Sequence, residues 1–220
     1  MNKYKVIILS LLISFMGASC EDWLYDNVNE DAAHEVLPQQ VLPVVLFYSA
    51  QLQFDHAEYG AYLTQTLTTG GRNQTSSFAY KSGWGDFLTM NRHPQWRRHF
   101  YDIGVNAKEI IDEAHEAQAW NLELIGRTLR LMSTQMTTDL FGDMPRSEAY
   151  ESNSPHYDTQ ESIYEWMNQE IEELIGMYED PTYTEAATNI PIDQSIDRVF
   201  AGDLNKWKHY TYALKARLLL

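Results

Sequence analysis

Apolar residues recur at helical spacing along most of this 220-residue chain. After Pro38 and Pro43 the run "VVLFYSAQLQF" predicts a helix within 37–56. A second helical pattern, "AEYGAYLTQTLT", leads into Gly70-Gly71. Residues 70–92 lose the period and are rich in Gly, Ser and Asn with interleaved rings, which predicts a long loop. From Pro94 the residues Trp96, Phe100, Ile103, Ala107, Ile110 and Ala114 step by four and three and lay one apolar stripe on a helix. The stepping restarts at Trp120 with Leu122, Ile125, Leu129, Met132, Met136 and Leu140. So short a break predicts an antiparallel helix hairpin, ended by Gly142 and Pro145.

A further helix opens at "YDTQESIY", where Asp158 and Glu161 resemble a capping box. Ile163, Met167, Ile171, Leu174 and Tyr178 form its apolar face. Residues 180–200 read as a Thr- and Pro-rich loop. The last helix starts at Gly202-Asp203, with Asp203 as cap and Trp207, Tyr210, Leu214 and Leu218 facing inward. No strand pattern of comparable strength appears, so the expected class is all-α, built of stacked helix pairs, with no clean repeat of fixed period.

The first residues follow a different pattern. Lys3 and Lys5 precede an apolar run from Val6 to Phe15, and small residues then lead to Cys20. This is the anatomy of a secretory signal, too short to span a bilayer comfortably. It ends either as a plain signal cut near Ser19 or as a lipoprotein signal that makes Cys20 the lipid-carrying first residue of the mature chain. Gly-Ala-Ser-Cys resembles a lipobox, with Gly17 in place of the commoner Leu. Cys20 is the one cysteine, so it has no disulfide partner within the chain, and acylation accounts for it. The expected organisation is a signal peptide over 1–19, an acidic tether over 20–35 and a helical domain over 36–220.

The formal charge is −15, and removing the lysine-bearing signal makes the rest more acidic. That argues against nucleic acid, whose binding rests on Lys and Arg neutralising phosphates. The seven histidines form no HExxH pair, so zinc is not expected. No nucleophile elbow or Walker loop is present, and no cofactor is expected. The pairs Asp112-Glu113, Glu172-Glu173 and Glu179-Asp180 are adjacent on helices and read as solvated faces, not as the opposed carboxyls of a glycosidase. Asp193, Asp197 and Asp203 share one segment and stand as a weak calcium candidate that lacks the EF-hand order.

Several segments together carry a family resemblance. "TLRLMSTQMTTDLFGDMPRSEAY" (128–150), "SPHYDTQESIYEWMNQEIEEL" (154–174) and "RVFAGDLNKWKHYTYALKARLLL" (198–220) resemble, in order, segments of the SusD/RagB family of outer-membrane lipoproteins, as does "SCEDWLYDNVNEDAAHEVLPQQVLP" after the cysteine. The resemblance implies a TPR-like helical scaffold with long ligand-binding loops, exposed on the cell surface. It also implies a nutrient ligand, most often a glycan or oligosaccharide, a SusC-like TonB-dependent transporter as partner, and no catalysis. RagB-like members handle peptides, and a purely protein-binding scaffold is the other alternative. Glu21-Asp22 resembles the surface-export signals of such lipoproteins.

Sugar binding needs exposed rings flanked by hydrogen-bonding side chains. Arg72, Asn73, Tyr80, Trp84, Asp86 and Arg92, with Trp96 just beyond, offer that mixture. The competing reading is that Trp84 pins its loop to the scaffold. The chain ends at Leu218-Leu219-Leu220 without a stop signal, and the resemblance is to the first part of longer proteins, so an N-terminal portion of a longer protein is expected.

Overall fold

The computed structural model describes residues 37–64, 66 and 94–219. The signal, the tether, Cys20 and the candidates Arg72, Asn73, Tyr80, Trp84, Asp86 and Arg92 lie outside the described residues. The regular elements, in order, are α1 (Pro38–Leu63), α2 (Pro94–Arg97), a π-helical segment (Arg98–Val105), α3 (Asn106–Glu116), α4 (Trp120–Phe141), α5 (Gln160–Glu179), α6 (Pro181–Thr184) and α7 (Leu204–Leu218). The expected all-α class holds: among the described residues, extended backbone pairs at one isolated bridge, Met144 with Asp158.

α4 is the axis of the fold. It packs against α1, the π segment, α3, α5 and α7, and it is buried along nearly its whole length from Asn121 to Thr138. Its hydroxyls tolerate that burial because several turn back onto its own backbone. Thr128, Thr134 and Thr137 donate to the carbonyls of Leu124, Arg130 and Ser133 at 2.8–2.9 Å. The helix stops at Gly142, whose φ of +75° is one that residues with a side chain rarely adopt.

α3 and α4 form the expected antiparallel hairpin. His115 meets Glu123 at 3.0 Å near the turn, and two turns away Gly126 lets Ile110 and Ile111 press against the α4 backbone. The lead-in to α3 departs from the expected regular helix. The π segment widens the turn, and the buried row becomes Gln95, His99, Ile103 and Ala107, spaced by four. Trp96 and Phe100, expected on the apolar stripe, are turned to its edge and half-buried.

Three other expectations are corrected. The two patterns after Pro38 belong to one helix, α1, whose residues Val41, Leu42, Val45, Leu46 and Leu52 bury while Asp55 ion-pairs Arg98 of the π segment at 2.5 Å. The cap of α5 is Thr159, which accepts from Ser162 N–H, not Asp158. Asp158 instead accepts from the backbone N–H groups of Arg146 and Ser147 at 2.8 and 2.9 Å, because the bridge to Met144 places it beneath that turn. The 180–200 loop contains the one-turn α6, capped by Asp180.

Asp193, Asp197 and Asp203 do not gather around a common point. Asp193 caps Ser195 and Asp203 caps α7. Asp197 is fully buried and accepts from the N–H groups of Val199, Phe200 and Gly202 and from Trp207 Nε1–H, all at 2.9–3.0 Å. Carboxylates so engaged serve the backbone, and among the described residues no group of three or more His, Cys, Asp or Glu is arranged as metal ligands would be. Gly202, at φ +74°, lies where an added Cβ would strike the carbonyl of Ile192. No helix among the described residues is long and apolar enough to cross a membrane.

Candidate functional site

Residues 144–158 form a loop closed at its base by the Met144–Asp158 bridge. Gln160 N–H donates to Asp143 at 2.8 Å and ties the loop to the start of α5. Within it, Glu148 accepts from the N–H of His156 at 3.2 Å and lies 2.9 Å from His156 Nδ1. The His156 partnership, a hydrogen bond before a charge, holds the Glu148 carboxyl below its ordinary pKa and raises that of His156. The same device recurs at Asp158: burial opposes its charge, and the Ser147 and Arg146 amides outweigh it and lower its pKa. A compact loop with joined ends presents its side chains at fixed positions, which suits a binding surface.

The loop lies against the face of α2 and the π segment, and between them runs a cleft of about 340 Å³. Trp96, Phe100, Tyr101 and Val105 form one wall, and Pro145 and Tyr150 belong to the other, with Ser152 and Asn153 adding polar groups. Trp96 is held by Phe100 and Phe141, with ring centroids 4.7 and 5.2 Å away. Tyr157 lies near-parallel to it at 6.3 Å. Tyr101 and Tyr157 are 69% and 59% exposed, so two rings remain open to solvent at one locality. Tyr150 is the hinge between wall and scaffold. Its hydroxyl occupies the space that a side chain on Gly104 would need. Burial raises the phenol pKa to about 12, against the opposing charge of Arg130, so the phenol stays neutral and able to donate.

Of the site residues expected from the sequence, Trp96 is the one among the described residues. It forms part of a wall of the cleft and also packs on the core. Tyr101, Tyr150 and Tyr157 were not singled out. The signal for them was the same mixture that marked 70–92: "EAYESNSPHYD" interleaves rings with Ser, Asn and acids. Tyr101 also falls off the apolar stripe, as an exposed ring on a helix must.

The described carboxylates do not oppose one another across this cleft. Asp112, Glu113, Glu172, Glu173, Glu179 and Asp180 are exposed, as the sequence suggested for helix faces.

A helical scaffold that carries an aromatic cleft is the form of a ligand-binding surface. The family model for SusD-like proteins, described as starch-binding and associating with the outer membrane, matches residues 38–220, and the chain belongs to that family. A solved SusD/RagB family protein from Bacteroides thetaiotaomicron shares the fold, with a TM-score of 0.62 at 22% identity. The match covers 83% of this chain and 38% of that one, so this chain spans well under half the length of that relative. A comparison with curated proteins finds no match.

Proposed function

We propose that this chain is the glycan-recognising part of a cell-surface lipoprotein that delivers oligosaccharide to a TonB-dependent outer-membrane transporter, without cleaving it. The observation that carries this reading is the cleft between the π segment and the 144–158 loop, where Tyr101 stands exposed alongside Trp96 and Asn153, with the exposed Tyr157 ring near-parallel to Trp96 at its side. Sugar rings have apolar faces that stack on such side chains, and their hydroxyls take amide and hydroxyl partners. The segment bearing Arg72, Asn73, Tyr80, Trp84, Asp86 and Arg92 precedes α2 in the sequence, and we assign it further contacts to the same ligand.

Retention on insoluble starch and on a panel of polysaccharides, measured with the protein and its Tyr101→Ala and Tyr157→Ala variants, tests this. Retention without release of shorter sugars is expected. Each variant should lose about 1–3 kcal/mol of binding, by analogy with bases stacked on aromatic side chains, while keeping its helicity. Undiminished retention in the double variant would remove the cleft from the site. Binding of peptides in place of any glycan would favour the RagB-like alternative, and cleavage would make the protein an enzyme.

The anchor is proposed from Cys20, the lone cysteine after the apolar run. Cys20→Ala should move the protein from the membrane fraction to the soluble fraction, read by immunoblot after fractionation. Membrane retention equal to wild type would refute lipidation at this residue.

A further inference from the structure

Tyr150 also lines a second cavity, of about 220 Å³. The two share Ala149 and Tyr150 as a common wall. The second cavity differs in chemistry. Lys108, Arg130 and Arg146 line it, together with Ser147 and Thr134. The guanidinium carbons of Arg146 and Arg130 lie 4.7 and 6.0 Å from the centroid of the Trp166 ring, so two cations crowd one indole.

The charges of the wall are unequally satisfied. Lys108 is engaged by Asp112 at 2.5 Å and Glu151 at 3.3 Å, which accounts for the two carboxylates that also line the cavity. His99 is neutral in its buried position. Arg130 has Glu170 no nearer than 4.0 Å, and that carboxylate is already held by Arg127 at 2.8 and 3.0 Å. Among the described residues no ion pair engages Arg146. The Nε–H groups of both Arg130 and Arg146 are buried and have no acceptor from the protein. Burial lowers the pKa of Arg130, with Glu170 opposing and Arg127 reinforcing, whereas Arg127, though burial opposes its charge too, is raised by Glu170 and Glu173. Arg127 is closely paired, and Arg130 has only the more distant Glu170.

We propose that this cavity is an oxyanion site that takes the singly charged group, a uronate carboxylate or a sulfate ester, of a sugar seated in the adjoining aromatic cleft. Guanidinium groups recognise planar or tetrahedral oxyanions through paired N–H donors, and two such groups lie over one indole here, Arg146 without an ion-pair partner among the described residues and Arg130 with Glu170 only at 4.0 Å. Asp112 and Glu151 on the same wall set the limit at one charge, since a dianion would face their repulsion. The inference rests on the glycan reading for the sugar, and on the cavity alone for the charge.

Calorimetric titration of the protein with glucuronate, glucose 6-sulfate and glucose separates these. The expected result is that one or both charged sugars bind about tenfold or more tightly than glucose, with affinity falling as salt rises. Which of the two binds identifies the source of the oxyanion. Arg146→Gln should abolish the preference and Arg146→Lys should restore part of it, with far-UV circular dichroism confirming that each variant folds. Equal affinity for charged and neutral sugars in the wild-type protein overturns the proposal, whatever the variants do, and so does a preference that survives Arg146→Gln together with Arg130→Gln. Retention on neutral starch alongside equal affinities would refute the oxyanion site and leave the glycan reading in place. Binding of glucuronate or glucose 6-sulfate that depends on Arg146, without retention on any polysaccharide, would do the reverse.

Discussion

Arg127→Ala is expected to destabilise the protein by about 3–5 kcal/mol, because it leaves buried charge without its partner. Arg127 sits on α4 among groups from two helices. Its guanidinium donates to both carboxylate oxygens of Glu170 on α5 and lies 3.4 Å from Glu123 one turn earlier on α4. Glu173 approaches at 2.9 Å from the solvent side, and Met177 Sδ accepts a further N–H at 3.3 Å. Glu123 and Glu170 are 3% and 7% exposed, so water cannot replace the lost cation. His115, 3.0 Å from Glu123, is a poor substitute because it is exposed and must be protonated to help. Urea unfolding monitored at 222 nm measures the loss.

The double variant Arg127→Met with Glu170→Leu separates loss of packing from loss of compensation. Removing both ends of the pair and filling the volume with apolar atoms should recover most of the stability, because desolvating the original ions costs nearly what their attraction returns. An Arg127→Ala loss below about 1 kcal/mol would mean that the carboxylates find water or protons instead, as exposed pairs do.

α4 also shows where sequence reasoning stopped. Its apolar positions Leu122, Ile125, Leu129, Met132 and Met136 are buried as the spacing indicated. The stripe leaves out Glu123, Arg127, Ser133, Thr134 and Thr137, and all five are buried. Helical periodicity records one packed face. It carries no sign that α1, α5 and α7 cover the others, because the ion pairs and back-bonded hydroxyls that permit burial look polar in the sequence. The ends of elements were legible where a special residue enforces them, as at Gly142 and Asp203. At α5 two adjacent residues compete, and tertiary contact decided: Asp158 is drawn to the 146–147 turn and Thr159 is left to cap.

The aromatic cleft was partly legible for a related reason. Trp96, singled out as a large ring next to a loop, lines it. Tyr101 and Tyr150 line the same cleft, Tyr101 from the π segment and Tyr150 where Gly104 admits its hydroxyl, and neither placement follows from spacing. The cationic cavity was invisible to the sequence, since Lys108, Arg130 and Arg146 come from three separate segments of an acidic chain.

The protein is expected to lose stability steeply between pH 6.5 and 4.5, and His99 is the largest single cause. His99 lies under the π segment with Nδ1 2.8 Å from Ser133 Oγ on α4, and its ring meets Phe100 edge-on at 4.5 Å. Burial pushes its pKa down to about 3. In the unfolded chain the imidazole titrates near 6.5, as exposed histidines do. Above that pH both states carry a neutral ring and stability is unaffected. As pH falls below it, the unfolded state gains a proton that the folded state refuses. Stability then declines by about 1.4 kcal/mol per unit, until pH approaches the folded-state value. The loss amounts to about 2–3 kcal/mol by pH 4.5, before protonation of most carboxylates adds to it. Burial also lowers the pKa of His56 on α1, with Arg217 acting in the same direction and Asp139 opposing, so His56 contributes with the same sign. His156 works the other way, since its partner Glu148 raises its pKa and its contribution is lost as pH rises, but that pair is exposed and screened. Urea midpoints measured at half-unit intervals should show the decline in the wild-type protein and a much flatter line in His99→Gln, which keeps a polar group for Ser133 and cannot take the proton. A slope unchanged by that substitution would assign the acid sensitivity to other groups.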